Sequence, residues 1–123
     1  MTTPDAVVTE FCARWKDADV DTLVEYFTED AVYHNIPMEP VVGKAAIKDY
    51  LTGFIGQFGG IDFRVHHQAS NGAVVMNERT DVFAIGGTTI ELPVMGVFEV
   101  TAAGKISGWR DYFDMAPIAA LGS

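Results

Sequence analysis

One cysteine, three histidines, eight basic residues and no long apolar run set the first limits on what this 123-residue chain can do. Cys12 stands alone, so no internal disulfide can form; it precedes Arg14 and Trp15 in a helix-like pattern and reads as a small apolar core residue. The histidines do not converge as metal ligands. His66 and His67 are adjacent on a strand-like stretch and point to opposite faces, and His34 points away from Tyr33 and Asn35, so no metal site is expected. Eight Lys and Arg against 17 Asp and Glu give a formal charge of −9. A nucleic-acid binder must neutralise phosphates with clustered cations, and the few cations here are scattered. The same charge opposes docking on an anionic membrane. No apolar stretch reaches the roughly 18 residues needed to span a bilayer. The opening Met-Thr-Thr-Pro-Asp lacks the basic and apolar regions of a signal peptide, so a cytoplasmic location is the default expectation. The glycines around Phe54 and at Gly59-Gly60 lack the lysine and preceding strand of a phosphate loop.

What remains is an ordinary globular composition, 49% hydrophobic and 20% charged, at the size of one domain spanning residues 1–123. Thr3 and Pro4 start a helix that carries Val7, Val8, Phe11, Cys12 and Trp15 at helical spacing. Asp19 or Asp21 caps a second, short helix through Leu23, Val24 and Phe27. Ala31 to Asn35 reads as a short extended segment, and the two prolines of Ile36-Pro37-Met38-Glu39-Pro40 impose a loop. A third helix follows Gly43, with Ile47, Leu51, Phe54, Ile55 and Phe58 apolar, and Gly59-Gly60 ends it. From there the period is two. Four strand-like stretches, Ile61 to Ala69, Ala73 to Ile85, Thr88 to Thr101 and Lys105 to Phe113, are separated by short glycine turns and are therefore antiparallel neighbours. Three helices and a four-strand meander make an α+β plan in which helices cover one face of a curved sheet and enclose a pocket. Residues 115–123 read as a short helix or tail.

Three charges interrupt these apolar strands: Arg79, Asp81 and Asp111. Alternation puts Trp109, Asp111 and Phe113 on one strand face, so Asp111 lies between two large aromatics. A carboxylate there must find a cation or donors, or keep its proton, because an unpaired buried charge costs several kcal/mol. Arg79 and Asp81 share a face, yet their neighbours do not show which; a solvated outer pair would contribute at most about 1 kcal/mol. Tyr33 and Asn35, two apart in an extended segment, point the same way; alone they fit a strand with polar ends. If these groups converge, two carboxylates flanking an arginine hold one proton between them and supply a general base and a general acid. Tyr33 and Asn35 then aim a water. Such a set suits one-step hydrolytic opening of a strained neutral ring, without metal or covalent intermediate.

Tyr33-His34-Asn35-Ile36-Pro37, Glu78-Arg79-Thr80-Asp81-Val82, Gly96-Val97-Phe98, and Gly104-Lys105-Ile106 through Trp109-Arg110-Asp111-Tyr112-Phe113-Asp114 resemble the motifs of the limonene-1,2-epoxide hydrolase family. The likeness runs from about residue 5 to residue 115, and the last block is its most specific part. It implies a curved, mixed β-sheet cone packed against N-terminal helices, the architecture shared with nuclear transport factor 2, and a homodimer. It further implies Asp111 as base, Asp81 as acid, Arg79 as the bridge between them, and Tyr33 and Asn35 as holders of the nucleophilic water. Trp15, Phe54, Phe58, Phe83, Leu92, Val94 and Phe113 match the apolar substrate wall, although such aromatics are equally at home in a plain core. The implied reactants are water and a hydrophobic, cyclic or terpene-like epoxide, the product a vicinal diol, and no cofactor is called for. Two other readings stay open: a ketosteroid isomerase-like or polyketide cyclase-like enzyme, and a non-catalytic binding or dimerisation module on the same fold. Whether Asp81 and Asp111 both reach Arg79 separates the last from the enzymes.

Overall fold

Thr3 opens the first helix by accepting the Ala6 N–H on its hydroxyl at 3.1 Å, with Pro4 in the first position, where a missing N–H costs nothing. The structure is a computed structural model that describes residues 2–119. Helix α1, Pro4–Arg14, buries Val7, Val8, Phe11 and Cys12, and a 3₁₀ turn over Trp15–Asp17 carries the same apolar stripe on to Trp15. Of the two candidate caps for α2, Val20–Val24, it is Asp19 that receives the Thr22 N–H. Helix α3, Lys44–Phe58, buries Ile47, Leu51 and Ile55, and Gly59 ends it at a positive φ of 73°, donating to the Ile55 carbonyl at 2.7 Å. Gly60 is then pressed against the backbone carbonyl of Lys16, where any Cβ would collide. That contact ties the end of the third helix to the 3₁₀ turn after the first.

The strands are β1 (Phe27–Asn35), β2 (Val41–Val42), β3 (Asp62–Asn71), β4 (Val74–Ile85), β5 (Thr88–Val100) and β6 (Ile106–Tyr112). They form one sheet in the order β2-β1-β6-β5-β4-β3. The expected antiparallel meander is present as β3 to β6. It is extended by two further strands, one of them expected in part. The short segment expected at Ala31 to Asn35 is the second half of β1, which pairs in parallel with β6 and makes the sheet mixed. A two-residue strand, β2, follows the proline loop and pairs antiparallel with β1.

Phe27 therefore lies in β1 rather than in the second helix, which stops at Val24. In β4 the burial alternates strictly: Val75, Asn77, Arg79, Asp81 and Phe83 are buried, while Met76 and Glu78 are exposed. The inward face of the sheet meets α1 and the turn after it through an aromatic core in which Phe11, Trp15, Phe27, Phe98 and Trp109 pack edge to face or stacked. Cys12 is buried within it, and burial pushes its thiol up to about 12. At the C-terminal end, α4 covers Ala116–Ala119. Residues 120–123 of the expected helix or tail lie outside the described residues.

Candidate active site

Pairing brings the polar groups together. The parallel register of β1 and β6 sets Tyr33 opposite Trp109 and Asn35 opposite Asp111. The antiparallel registers set Gly96 of β5 between Asn77 on one side and Asp111 on the other. Because Gly96 has no side chain, the Arg79 guanidinium occupies the space there and reaches across to β6. A Cβ on Gly96 would collide with Arg79 Nη1 and lie 3.0 Å from both Asn77 Oδ1 and Asp111 Oδ1.

Arg79 is thus held on every side. Its Nε donates to Asp81 Oδ1 at 2.7 Å and its Nη2 to Asp81 Oδ2 at 3.2 Å and Asp111 Oδ2 at 2.5 Å, while Nη1 donates to Asn77 Oδ1 at 3.1 Å. The ring of Phe63 lies under the guanidinium carbon at 4.4 Å. Asp111 receives one more donor: the Trp109 indole N–H reaches Oδ1 at 2.7 Å. Burial opposes the charge on Arg79, but Asp111 and Asp81 beside it outweigh that and raise its pKa. Burial pushes Asp81 up to about 6 against the pull of Arg79. It also raises Asp111, against Arg79 and the Trp109 donor. Two carboxylates and one cation in a dry floor therefore favour keeping one proton.

Tyr33 and Asn35 complete the group. The Tyr33 hydroxyl donates to Asn35 Oδ1 at 3.3 Å, and the Tyr33 ring stacks on Trp109 at 4.3 Å. Burial raises the Tyr33 pKa and the nearby Asp111 charge adds to it, so the phenol stays protonated. Asp81, Asp111, Tyr33 and Asn35 all border one cavity of about 240 Å³. Arg79 lies behind them, with its side chain fully buried.

All seven residues expected in the apolar wall line this cavity. Trp15 closes one side, Phe54 and Phe58 come from α3, Phe83 from β4, Leu92 and Val94 from β5, and Phe113 follows directly on β6. Trp15, Phe83, Leu92 and Val94 are at the same time buried core, whereas Phe54, Phe58 and Phe113 keep partial exposure. The wall also contains residues that the resemblance did not single out: Tyr50, Ile61, Phe63 and Ile85, with Met38 of the proline loop and Met115 and Ile118 at the C-terminal end. Tyr50 stands four residues before Phe54 on the same helix face, and Asn77 two before Arg79 on the same strand face. Spacing could have found both. Among the described residues no group of three or more His, Cys, Asp or Glu is placed to hold a metal ion. No helix among them is long and apolar enough to cross a membrane.

The model of the limonene-1,2-epoxide hydrolase catalytic domain matches residues 2–120. The chain belongs to the limonene-1,2-epoxide hydrolase family. It is 34% identical over 108 residues to epoxide hydrolase EphG of Mycobacterium tuberculosis, covering 88% of this chain and 71% of that protein. Among solved structures, an M. tuberculosis epoxide hydrolase like those of the limonene-1,2-epoxide hydrolase family superposes with a TM-score of 0.83 at 32% identity, covering 95% of this chain and 86% of the other. A protein from Shewanella denitrificans described as a SnoaL-like polyketide cyclase shares the fold, with a TM-score of 0.84 at 15% identity over 95% of this chain and 94% of the other. The family and its epoxide hydrolase relatives support epoxide hydrolase activity for this chain. The α+β cone expected from the motifs is the fold observed.

Proposed function

We propose that the protein adds water to a small, hydrophobic, cyclic or terpene-like epoxide in one step and releases a vicinal diol. The observation that carries this reading is the contact of Asp81 and Asp111 with one buried arginine at the floor of an apolar cavity. It argues against a non-catalytic module, in which those charges have no reason to converge. An isomerase on this fold needs one base facing a separate oxyanion-binding pair, whereas here one arginine holds both carboxyl groups side by side.

Roles follow from the donors. Asp111 accepts from two different groups, Arg79 and the Trp109 indole, of which the indole can only donate, so the anion is best accommodated there. Asp81 meets only the arginine, borders the cavity and keeps the proton. In the reaction the Asp111 carboxylate takes a proton from a water held by Tyr33 and Asn35. The water oxygen bonds to an oxirane carbon, the opposing C–O bond breaks with its electron pair on oxygen, and that oxygen takes the Asp81 proton. The pair still holds one proton afterwards, and returning it from Asp111 to Asp81 resets the site. The apolar wall binds the hydrocarbon part and excludes other water. Neither a metal nor a cofactor enters this sequence of steps. A homodimer belongs to the same reading through the family likeness, and light scattering of the purified protein tests it.

The test is an assay of the wild type, Asp111→Asn and Asp81→Asn against a panel of racemic and meso epoxides, with chiral analysis of the diols. Diol from the wild type alone is expected. Near-normal turnover by either folded variant refutes the assigned roles.

A further inference from the structure

Asn35 is held by two phenols rather than one. Its Oδ1 accepts from Tyr33, and its Nδ2 donates to the Tyr50 hydroxyl at 3.3 Å. An asparagine carboxamide turns easily about its last torsion, which is broad and two-fold, so a contact on the carbonyl alone leaves the amide free to swing. Tyr50 supplies the second anchor, and its own ring is fixed. It meets Tyr33 edge to face at 5.7 Å and stacks with Phe54 at 6.1 Å, one turn along α3. The ring is partly buried in the cavity wall.

We propose that Tyr50 is a positioning residue that locks the Asn35 carboxamide, and through it the nucleophilic water. This rests on the water-adding reaction proposed above. With one Nδ2 hydrogen bound to Tyr50, the other is left to point at the water. Tyr33 donates to Asn35, so its oxygen lone pairs stay free to accept one water hydrogen while Asp111 accepts the other. The remaining water lone pair then faces the oxirane carbon. The Tyr50 hydroxyl touches neither reactant in this arrangement and acts through Asn35, while the ring stays part of the wall.

Tyr50→Phe keeps both ring contacts and deletes only the hydroxyl. The loss of one neutral hydrogen bond corresponds to a fall in kcat of about 5- to 10-fold. That fall should appear for epoxides of different shape alike, with KM changed less than about twofold, a pattern of mispositioning rather than lost substrate binding. In an Asn35→Ala background the same substitution should cost nothing further. An equal loss in that background, or an effect confined to KM, overturns the proposal. A second readout does not depend on turnover: the Asn35 side-chain amide resonances should shift in Tyr50→Phe, and resonances that stay in place overturn it as well. A wild type that opens no epoxide strikes at the proposed reaction, and the amide resonances still decide the role of Tyr50.

Discussion

Replacing Gly96 by alanine tests whether the arginine bridge depends on an empty space in the sheet. The added methyl would collide with Arg79 Nη1, with Asn77 Oδ1 and Asp111 Oδ1 each 3.0 Å away. Gly96 has no positive φ, so the alanine backbone itself is unstrained and the whole effect falls on the side chains it meets. The guanidinium must retreat by roughly 1 Å to restore ordinary contact, and a displacement of that size can cost about 100-fold in rate. The 2.5 Å contact between Arg79 Nη2 and Asp111 is the bond most exposed to that retreat. Losing one hydrogen bond between charged groups costs about 1.5–3 kcal/mol. At about 4 °C per kcal/mol for a chain of this length, the melting temperature should fall by about 6–12 °C. The assay is kcat on the best epoxide of the panel, alongside thermal unfolding followed by circular dichroism. Gly53→Ala is the control, since nothing lies within 4 Å of a Cβ there and the position is inside α3. It should keep full activity and gain about 0.5–1 kcal/mol. A Gly96→Ala protein within about threefold of wild-type kcat would refute the claim that the guanidinium needs this gap.

Three further outcomes follow from the same cluster. Asp81 is pushed up to about 6, so its proton leaves as pH rises through that value, and kcat/KM should decline on the alkaline side of about pH 6. The folded state then holds more protons than the unfolded chain between about 3.8 and about 6, so this group's contribution to stability falls as pH rises across that window. Asp81→Asn should remove that slope from the melting temperature, which is read against the wild type at pH 4 and pH 6. Trp109→Phe keeps an aromatic ring for Tyr33 and Phe98 to pack on but removes the 2.7 Å donor to Asp111. The anion loses about 1.5–3 kcal/mol of support, so the acid limb of the pH–rate profile should move to higher pH; an unmoved limb would mean that the indole does not hold the base.

Much of this was legible from the chain. Alternation in β4, and in β6 from Trp109 to Tyr112, is a local property, and a charge at Asp111 between aromatics had to be paired whatever lay elsewhere. The face of Arg79 and Asp81 was not readable in the same way, because Val75 and Phe83 on one side are balanced by Val74, Met76 and Val82 on the other. Only the pairing of β4 with β5 and of β5 with β6 decides it. The parallel contact of β1 with β6 joins segments some 75 residues apart, and no local pattern marks it. It is nevertheless what sets Asn35 beside Asp111. The two-residue β2 exists through its partner alone. Gly96 illustrates the same limit: a glycine in a strand reads as a weak point, and only the arginine filling its place shows why it is there. Trp109 was legible as bulk, not as the donor to Asp111.

Direct attack by water is the core of the proposed chemistry, and a single turnover in heavy-oxygen water with enzyme in excess measures it. The diol from that first turnover should carry one heavy oxygen, with none incorporated into Asp81 or Asp111. Unlabelled first-turnover diol would mean that a carboxylate oxygen of the protein had bonded to the substrate, and would contradict the roles assigned to both aspartates.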